Sequence, residues 1–307
     1  MSETRDPGRR SPRSASVIVP VLDGEPILAD QLAALAGQND PGVPWEVIVA
    51  DNGSRDGTRS LAHDFAESLP RLRLLDASTR RGSSHARNVG AAAATGELLC
   101  FCDADDVVSA SWLAAHVAAA RRHDFAGGPL DVDRLNTARV RTWRPTPRTA
   151  AGKSPASFAP SGNMSIWVDV FEKLGGFDED YLKSHDVELG QRARIAGFHL
   201  GWVPEAVVHY RFRDTLAAMA RQAFRAGRAA VQMSLDHPQA SPLPSWRGEI
   251  RAWAEALIRL PLLAAPKRRG TAARILALQA GRLHAIVQFR ERLHAASRAT
   301  GRRTVHR

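Results

Sequence analysis

Residues 100–107 read CFCDADDV: an apolar run, Leu98-Leu99-Cys100-Phe101-Cys102, ends directly on three carboxylates, Asp103, Asp105 and Asp106. Carboxylates this close repel one another and resist desolvation, so a cation or water has to compensate them. Two more polar clusters share the design. Asp23 follows the apolar run SVIVP (16–20), and Asp51-Asn52-Gly53-Ser54 follows WEVIVA (45–50). One such cluster is explained by turn chemistry, which favours Asp, Asn and Gly. Three of them, each closing an apolar run, make a site hypothesis.

The runs themselves read as the positioning elements. SVIVP, WEVIVA, RLRLL (71–75) and ELLCFC (97–102) are short, apolar and rich in β-branched or aliphatic residues, which marks buried strands. Helical patterns separate them. Pro26 stands near a helix start that carries Leu28, Leu32 and Leu35 at helical spacing. A second helix from Thr58 places Leu61, Phe65 and Leu69 on one face, and SSHARNVGAAAA (83–94) is helix-prone and dense in small side chains. Strands alternating with helices imply βαβ units, hence an α/β fold with a mainly parallel sheet. Ligands of such sheets sit beyond the carboxyl ends of the strands, where the acidic clusters fall. Farther on, residues 134–160 lack periodicity and read as a long mobile loop, a common design for a lid. Order resumes with GNMSIW (162–167), a helix at 168–174, the turn GGFDED and a helix from Val187 to Ala196. The strands FHLGWV (198–203) and AVVHY (206–210) close the domain.

With 307 residues and 44% hydrophobic content, the chain has ample material for a packed core in one large domain or two. No apolar stretch of about 18 residues occurs, so no membrane-spanning helix is expected. The Arg-rich segment 1–14 has no apolar h-region and reads as a disordered basic arm rather than a secretory signal. Cys100 and Cys102 alternate on one buried strand, as packed thiols of a reducing cytoplasm do. The net charge of +10 is unevenly placed: residues 243–307 hold 14 Lys and Arg against 3 Asp and Glu, and the rest of the chain is near neutral. The basic character thus belongs to the tail, which makes nucleic acid an unexpected partner for the acidic domain. From Asp214 the pattern is helical. Trp246, Ile250, Trp253, Leu257 and Ile258 form one apolar stripe, and Ile275, Leu283, Ile286, Val287 and Leu293 another. Plain packing is expected for the first tail helix, and peripheral contact with an anionic membrane for residues 246–293.

In this order, VIVPVLDGE, VIVADNGSRDGT, GSSHARNVGAAAATGELLCFCDADD, SGNMSIW, LGGFDEDYLKSHDVEL and FRDTLAAMARQAFRAG resemble a family 2 glycosyltransferase of the GT-A fold, from about Ser16 to Arg228. The resemblance implies a catalytic domain at 15–213 and a basic helical extension at 214–307. It implies a nucleotide-sugar donor (a UDP-, dTDP- or GDP-sugar) and a divalent cation, Mg²⁺ or Mn²⁺, that neutralises the departing diphosphate. It further implies a glycan or lipid-linked hydroxyl acceptor of the cell envelope. Inversion at the anomeric carbon needs no enzyme nucleophile. A cytoplasmic location follows, peripheral on the inner face of the membrane.

Carried over residue by residue, Asp105 is the direct metal ligand, Asp103 faces ribose and metal, and Asp106 supports them; the alternative for Asp105 and Asp106 is capping of the next helix. Asp51 meets the donor base, with Pro20 and Asp23 beside it. This chain reads Pro20-Val21-Leu22-Asp23 where the family has PxYN, so the stacking aromatic is missing. Gly82 and Arg87 match GxxxARN, and Arg87 either meets donor oxygens or pairs with a rim acid such as Asp103. In KSHDVEL the family's Glu-Asp pair is His185-Asp186, so Asp186 is the general base, with helix capping as its other use. His209 stands where a late metal-binding His is found in such enzymes, or is a buried strand-end His. QRARI lacks the Trp of processive synthases, so one sugar is moved per encounter. The competing reading is a GT-A-like binding protein that has lost turnover and docks through its basic tail.

Overall fold

The computed structural model describes residues 10–143, 158–239, 241–265 and 268–300. The first nine residues of the arm and most of the expected lid lie outside the described residues. What remains falls into two compact units, one built from the chain to Leu135 with 158–180 and 185–211, the other from 136–143, 181–184 and the chain from Phe212 onward.

The first unit is a mainly parallel sheet between helices. Its strands β1 (Ala15–Val21), β2 (Trp45–Asp51), β3 (Arg73–Asp76) and β4 (Leu98–Cys102) alternate with α1 (Glu25–Ala36), α2 (Thr58–Asp64) and α3 (Ser83–Ala93). After β5 (Val107–Val108) come α4 (Trp112–Ala119), β6 (Phe125–Gly127) and β7 (Leu130–Asp131). Unit one then resumes with β8 (Asn163–Trp167), α6 (Val168–Lys173), α7 (His185–Ile195), β9 (Leu200–Trp202) and β10 (Val208–His209), with α5 (Ala138–Arg141) lying in the other unit. The large sheet has the order β3-β2-β1-β4-β8-β6-β9, in which β8 alone runs antiparallel to its neighbours. A small sheet, β5-β10-β7, stands apart from it. Every residue of β1 and β4 is buried, which is what two helix-covered faces require of a parallel strand. The small side chains of α3 have a packing reason: a Cβ at Gly90 would meet Ile18 of β1 at 2.6 Å.

One polar knot fixes β8. The Asn163 Oδ1 accepts hydrogen bonds from Trp112 Nε1 (2.8 Å) and His116 Nε2 (3.0 Å), while its Nδ2 donates to the carbonyls of Pro129 (2.9 Å) and Ala206 (2.7 Å). His116 Nδ1 faces the Ser165 hydroxyl at 2.9 Å, so the ring is held as the neutral Nε2–H tautomer. Burial pushes the His116 imidazole down to about 4, against the pull of Asn163. The unfolded chain therefore binds a proton that the folded chain refuses between about pH 6.5 and 4. Stability contributed by this residue is complete above that window and falls by about 3 kcal/mol as pH drops through it. Urea unfolding at pH 7 and 4.5 is expected to show this loss in the native chain and a smaller one in His116→Gln.

The arm ends firmly attached. Arg10 donates to Asp169 (2.8 Å) and lies 3.8 Å over the Trp167 ring, and Arg13 pairs with Glu97. The disorder expected for 1–14 does not extend to these two residues.

The second unit is helical: α8 (Leu216–Asp236), α9 (Trp246–Leu257), α10 (Arg269–Gln288) and α11 (Arg290–Thr300) with α5. Helices α8 and α10 meet backbone to backbone, because a Cβ at Gly227 would overlap the Leu278 carbonyl and one at Gly281 the Phe224 carbonyl. Val231, Ala285, Ile286 and Leu293 form its core. Ile286 and Leu293 are thus packing residues, whereas Leu283 and Val287 of the same stripe are exposed and Ile275 is half-buried, so the last apolar stripe read from the sequence is divided between interior and solvent. Part of the expected lid belongs here too: Trp143, just after α5, is buried against Gly270.

Candidate active site

The carboxylates at the end of β4 are brought together. Asp103, Asp105 and Asp106 each present an oxygen, all within 4.8 Å of one another. Helix α4 starts only at Trp112, behind Ser111, so Asp105 and Asp106 are not its caps. Instead the loop is clamped from two sides. Gln31, fully buried on α1, donates to the Asp103 carbonyl (3.1 Å) and accepts from the Val108 N–H (3.0 Å), closing both ends of the loop with one amide. Arg211, beyond β10, donates its backbone N–H to Asp106 Oδ1 (2.8 Å) and its Nε to the Asp105 carbonyl (2.9 Å). Gly162 lies so near that a Cβ there would stand 2.8 Å from Asp103 Oδ2. Gln31→Leu removes one of the hydrogen bonds to the Asp103 carbonyl and takes the side-chain partner from the buried Val108 N–H, and is expected to cost about 1–3 kcal/mol in a urea titration.

Arg87 takes the second of the two partners its sequence position left open. Its side chain is buried, its Nη2 donates to Asp103 Oδ1, and its Nη1 faces His185 Nε2 at 3.1 Å. A guanidinium only donates, so Nε2 of His185 carries the lone pair. The same Nε2 lies 2.9 Å from the Ser161 hydroxyl, and the Ser161 N–H points at Asp186 Oδ2 (3.4 Å). A continuous polar chain thus runs Asp103–Arg87–His185–Ser161–Asp186. Asp186 sits in the first turn of α7 and also receives the Val187 N–H (3.0 Å). The residue before α7, Ser184, has φ +63°, a left-handed conformation at the point where the chain passes between units.

The β1 and β2 ends form the neighbouring part of the rim. Pro20 is buried in β1, paired with Ala50. Asp51, fully buried, accepts from Ser54 N–H (2.9 Å) and from Arg59 Nε (2.5 Å). Burial pushes the Asp51 carboxyl up, but the hydrogen bonds of Ser54 and the Arg59 cation outweigh it and hold the group below the usual carboxylate range. Asp23, at φ +51°, is tied to the same turn through Ser54 Oγ (2.9 Å) and the Arg55 N–H (2.8 Å). Asn52 links the turn to α3: its Oδ1 accepts from the Gly82 N–H (2.8 Å), and Gly82 holds φ +144°, open to glycine alone at low cost.

His209 is not one of the three clustered ligands. Its Nδ1 lies 2.6 Å from Asp131 Oδ2, and pairing of β10 with β5 sets it opposite Val107, next to Asp106. Burial pushes the Asp131 carboxyl up, while the Asp133 N–H and His209 bring it below its ordinary value. Gln31, Ser161, Gly162 and Arg211 were given no role by sequence reasoning. Ser161 and Gly162 stood inside the quoted motif SGNMSIW, and Gln31 carried a signal of its own, a polar side chain on the same helical face as Leu28, Leu32 and Leu35.

Comparison with known proteins agrees with this geometry. Residues 16–175 match the family model Glycosyl transferase family 2. Glycosyltransferase AglE of Haloferax volcanii is 29% identical over 223 residues, covering 71% of this chain and 73% of its own. Pre-mycofactocin glycosyltransferase of Mycobacterium tuberculosis is 28% identical over 268 residues, 82% of this chain but only 54% of the relative's own length. Among solved structures, mannosyltransferase PcManGT from Pyrobaculum calidifontis, in complex with GDP-Man and Mn²⁺, superposes with a TM-score of 0.61 at 21% identity, over 91% of this chain and 88% of that one. TarS 1–349 of S. aureus in complex with UDP-GlcNAc gives 0.56 at 18% identity, over 94% and 92%. The sheet is that of the GT-A fold, and the chain belongs to glycosyltransferase family 2 and is a glycosyltransferase.

Proposed function

We propose that the protein transfers one sugar per encounter from a nucleotide-sugar donor to a hydroxyl of a glycan or lipid-linked acceptor, with inversion and with the help of a divalent cation. The observation that carries this reading is the convergence of Asp103, Asp105 and Asp106 at the end of β4, joined through Arg87 and His185 to Asp186.

The residues fit a cation. The donors are all oxygen, which suits Mg²⁺ or Mn²⁺, and the close approach of Gly162 leaves the carboxylates room that a side chain would fill. Asp105 and Asp103 would hold the ion, with Asp106 beside them, and His209 is a further donor whose ring is oriented by Asp131. When bound, the ion supplies Lewis-acid neutralisation of the charge that develops on the diphosphate. Arg87 fixes the rotamer of Asp103. Asp186, held by two backbone N–H groups, accepts the proton of the attacking hydroxyl. Asp51 meets the donor base once the half-exposed Arg59 swings off its Oδ2, and Asp23 and Pro20 line the same corner. GDP-Man and UDP-GlcNAc, the donors in the two neighbours' complexes, head the donor classes to test together with dTDP-sugars.

The test is a thermal-shift screen of nucleotide sugars with and without Mn²⁺, followed by donor hydrolysis for any that stabilise the protein. At a ligand concentration 100 times its dissociation constant, stabilisation of about 2.7 kcal/mol is expected. No shift with any of the three donor classes would remove the donor assignment.

A further inference from the structure

Helix α9 leaves an apolar stripe in water. Trp246, Ile250 and Leu257 share one face with half-buried Trp253, and they are 46%, 60% and 50% exposed. The chain then continues with Ile258, 77% exposed, and with Leu260 and Leu263 on a 3-10 turn, Leu260–Ala264, both also exposed. The face of α9 beside the stripe is fixed in place. Glu249 is buried and pairs with Arg282 of α10, and Ala256 is fully buried. The rotation of α9 is therefore set by an ion pair, and the stripe points outward by construction.

Cations border this stripe. Arg247 lies 5.3 Å from the Trp246 ring, Arg251 is exposed on the next turn, and Arg259 and Arg268 follow. Apart from Glu249, which faces inward, the segment 246–265 has one acid, Glu255. An isolated exposed Leu or Ile is ordinary, whereas a contiguous group rimmed by polar residues marks a contact surface. An occupant has to be both apolar and anionic. Among the described residues no helix is long and apolar enough to cross a membrane, so the surface is one that lies along a bilayer rather than through it.

We propose that α9 and the following 3-10 turn form an interfacial docking surface for an anionic phospholipid bilayer. Ile250, Leu257, Ile258 and Trp246 enter the headgroup–acyl boundary, and Arg247, Arg251 and Arg259 meet lipid phosphates. Apolar burial supplies the bulk of the attraction, and the arginines add attraction to a negatively charged surface. On α10, Ala285 and Ile286 are occupied in the core of the unit, and its exposed large apolar residues, Leu283 and Val287, are fewer than those of α9 and the 3-10 turn. The assignment is independent of the donor and metal chemistry.

The experiment uses the full chain. Removing residues after 242 would strip α10 from α8, so substitutions replace truncation. Co-sedimentation with phosphatidylcholine vesicles, with and without phosphatidylglycerol, is compared for the native chain and for Ile250→Ser/Leu257→Ser/Ile258→Ser, with circular dichroism as the control for folding. The expected result is binding to the phosphatidylglycerol vesicles that weakens at high salt, and drops at least about tenfold in the triple variant. Arg247→Glu/Arg251→Glu is expected to reduce binding to the anionic vesicles alone. Absence of binding, equal binding by the triple variant, or equal binding to neutral vesicles overturns the proposal. A concentration-dependent dimer abolished by the triple variant would assign the surface to a second copy of the chain instead.

Discussion

Asp105→Ala is expected to lower donor turnover by roughly 10³-fold and to remove the Mn²⁺-dependent part of the donor thermal shift. Losing one of a few oxygen ligands leaves a hard cation too weakly held, and Lewis-acid stabilisation of a leaving diphosphate is worth several kcal/mol. Each factor of ten corresponds to about 1.4 kcal/mol of barrier. Asp105 is the member of the trio to test. Asp106 is fully buried and carries the Arg211 N–H, so its removal would disturb the loop, and Asp103 is bound to Arg87. The variant should melt within a few degrees of the native chain when no ligand is present. A variant that keeps both its Mn²⁺ response and its hydrolysis rate within tenfold would sink the metal assignment.

Asp186→Asn is the complementary case. The substitution keeps size and a hydrogen-bonding head at the start of α7, but removes the group that takes the proton. A fall in kcat of about 10²–10⁴-fold is expected, with the donor-induced thermal shift retained. The contrast with Asp105→Ala separates the two roles, since one variant loses donor binding with metal and the other loses chemistry alone. Hydrolysis serves as the assay because water stands in for the acceptor hydroxyl. If Asp186→Asn also abolished the donor shift, Asp186 would be a structural anchor for α7 and Ser161 rather than a base.

Much of the architecture was readable because burial is written into composition. SVIVP, WEVIVA and LLCFC carry almost no polar residue, so their strand state and their place inside the sheet follow directly, and the acids that close them had to fall on one rim. The short strands were not readable. β5, β6 and β7 have two or three residues each, and the run FAGGPLD reads as a turn because its pairing partners are remote in sequence. Arg211 was hidden for the same reason: its contact with Asp106 bridges more than a hundred positions. In the tail, periodicity gave the helices but not their orientation. Leu257 and Ile286 belong to equally regular stripes, and only the Glu249–Arg282 pair and the α8–α10 crossing decide that one faces water and the other does not.

The glycine contact between α8 and α10 has a use beyond this chain. Two helices that touch through bare backbone leave no space for a side chain at either Gly227 or Gly281, so neither position can vary without the other unit of contact being lost. A small residue at both sites together is therefore a fingerprint for this type of C-terminal extension. Scanning family members for that coupled pair would sort those that carry the same helical appendage from those that merely end in a basic tail.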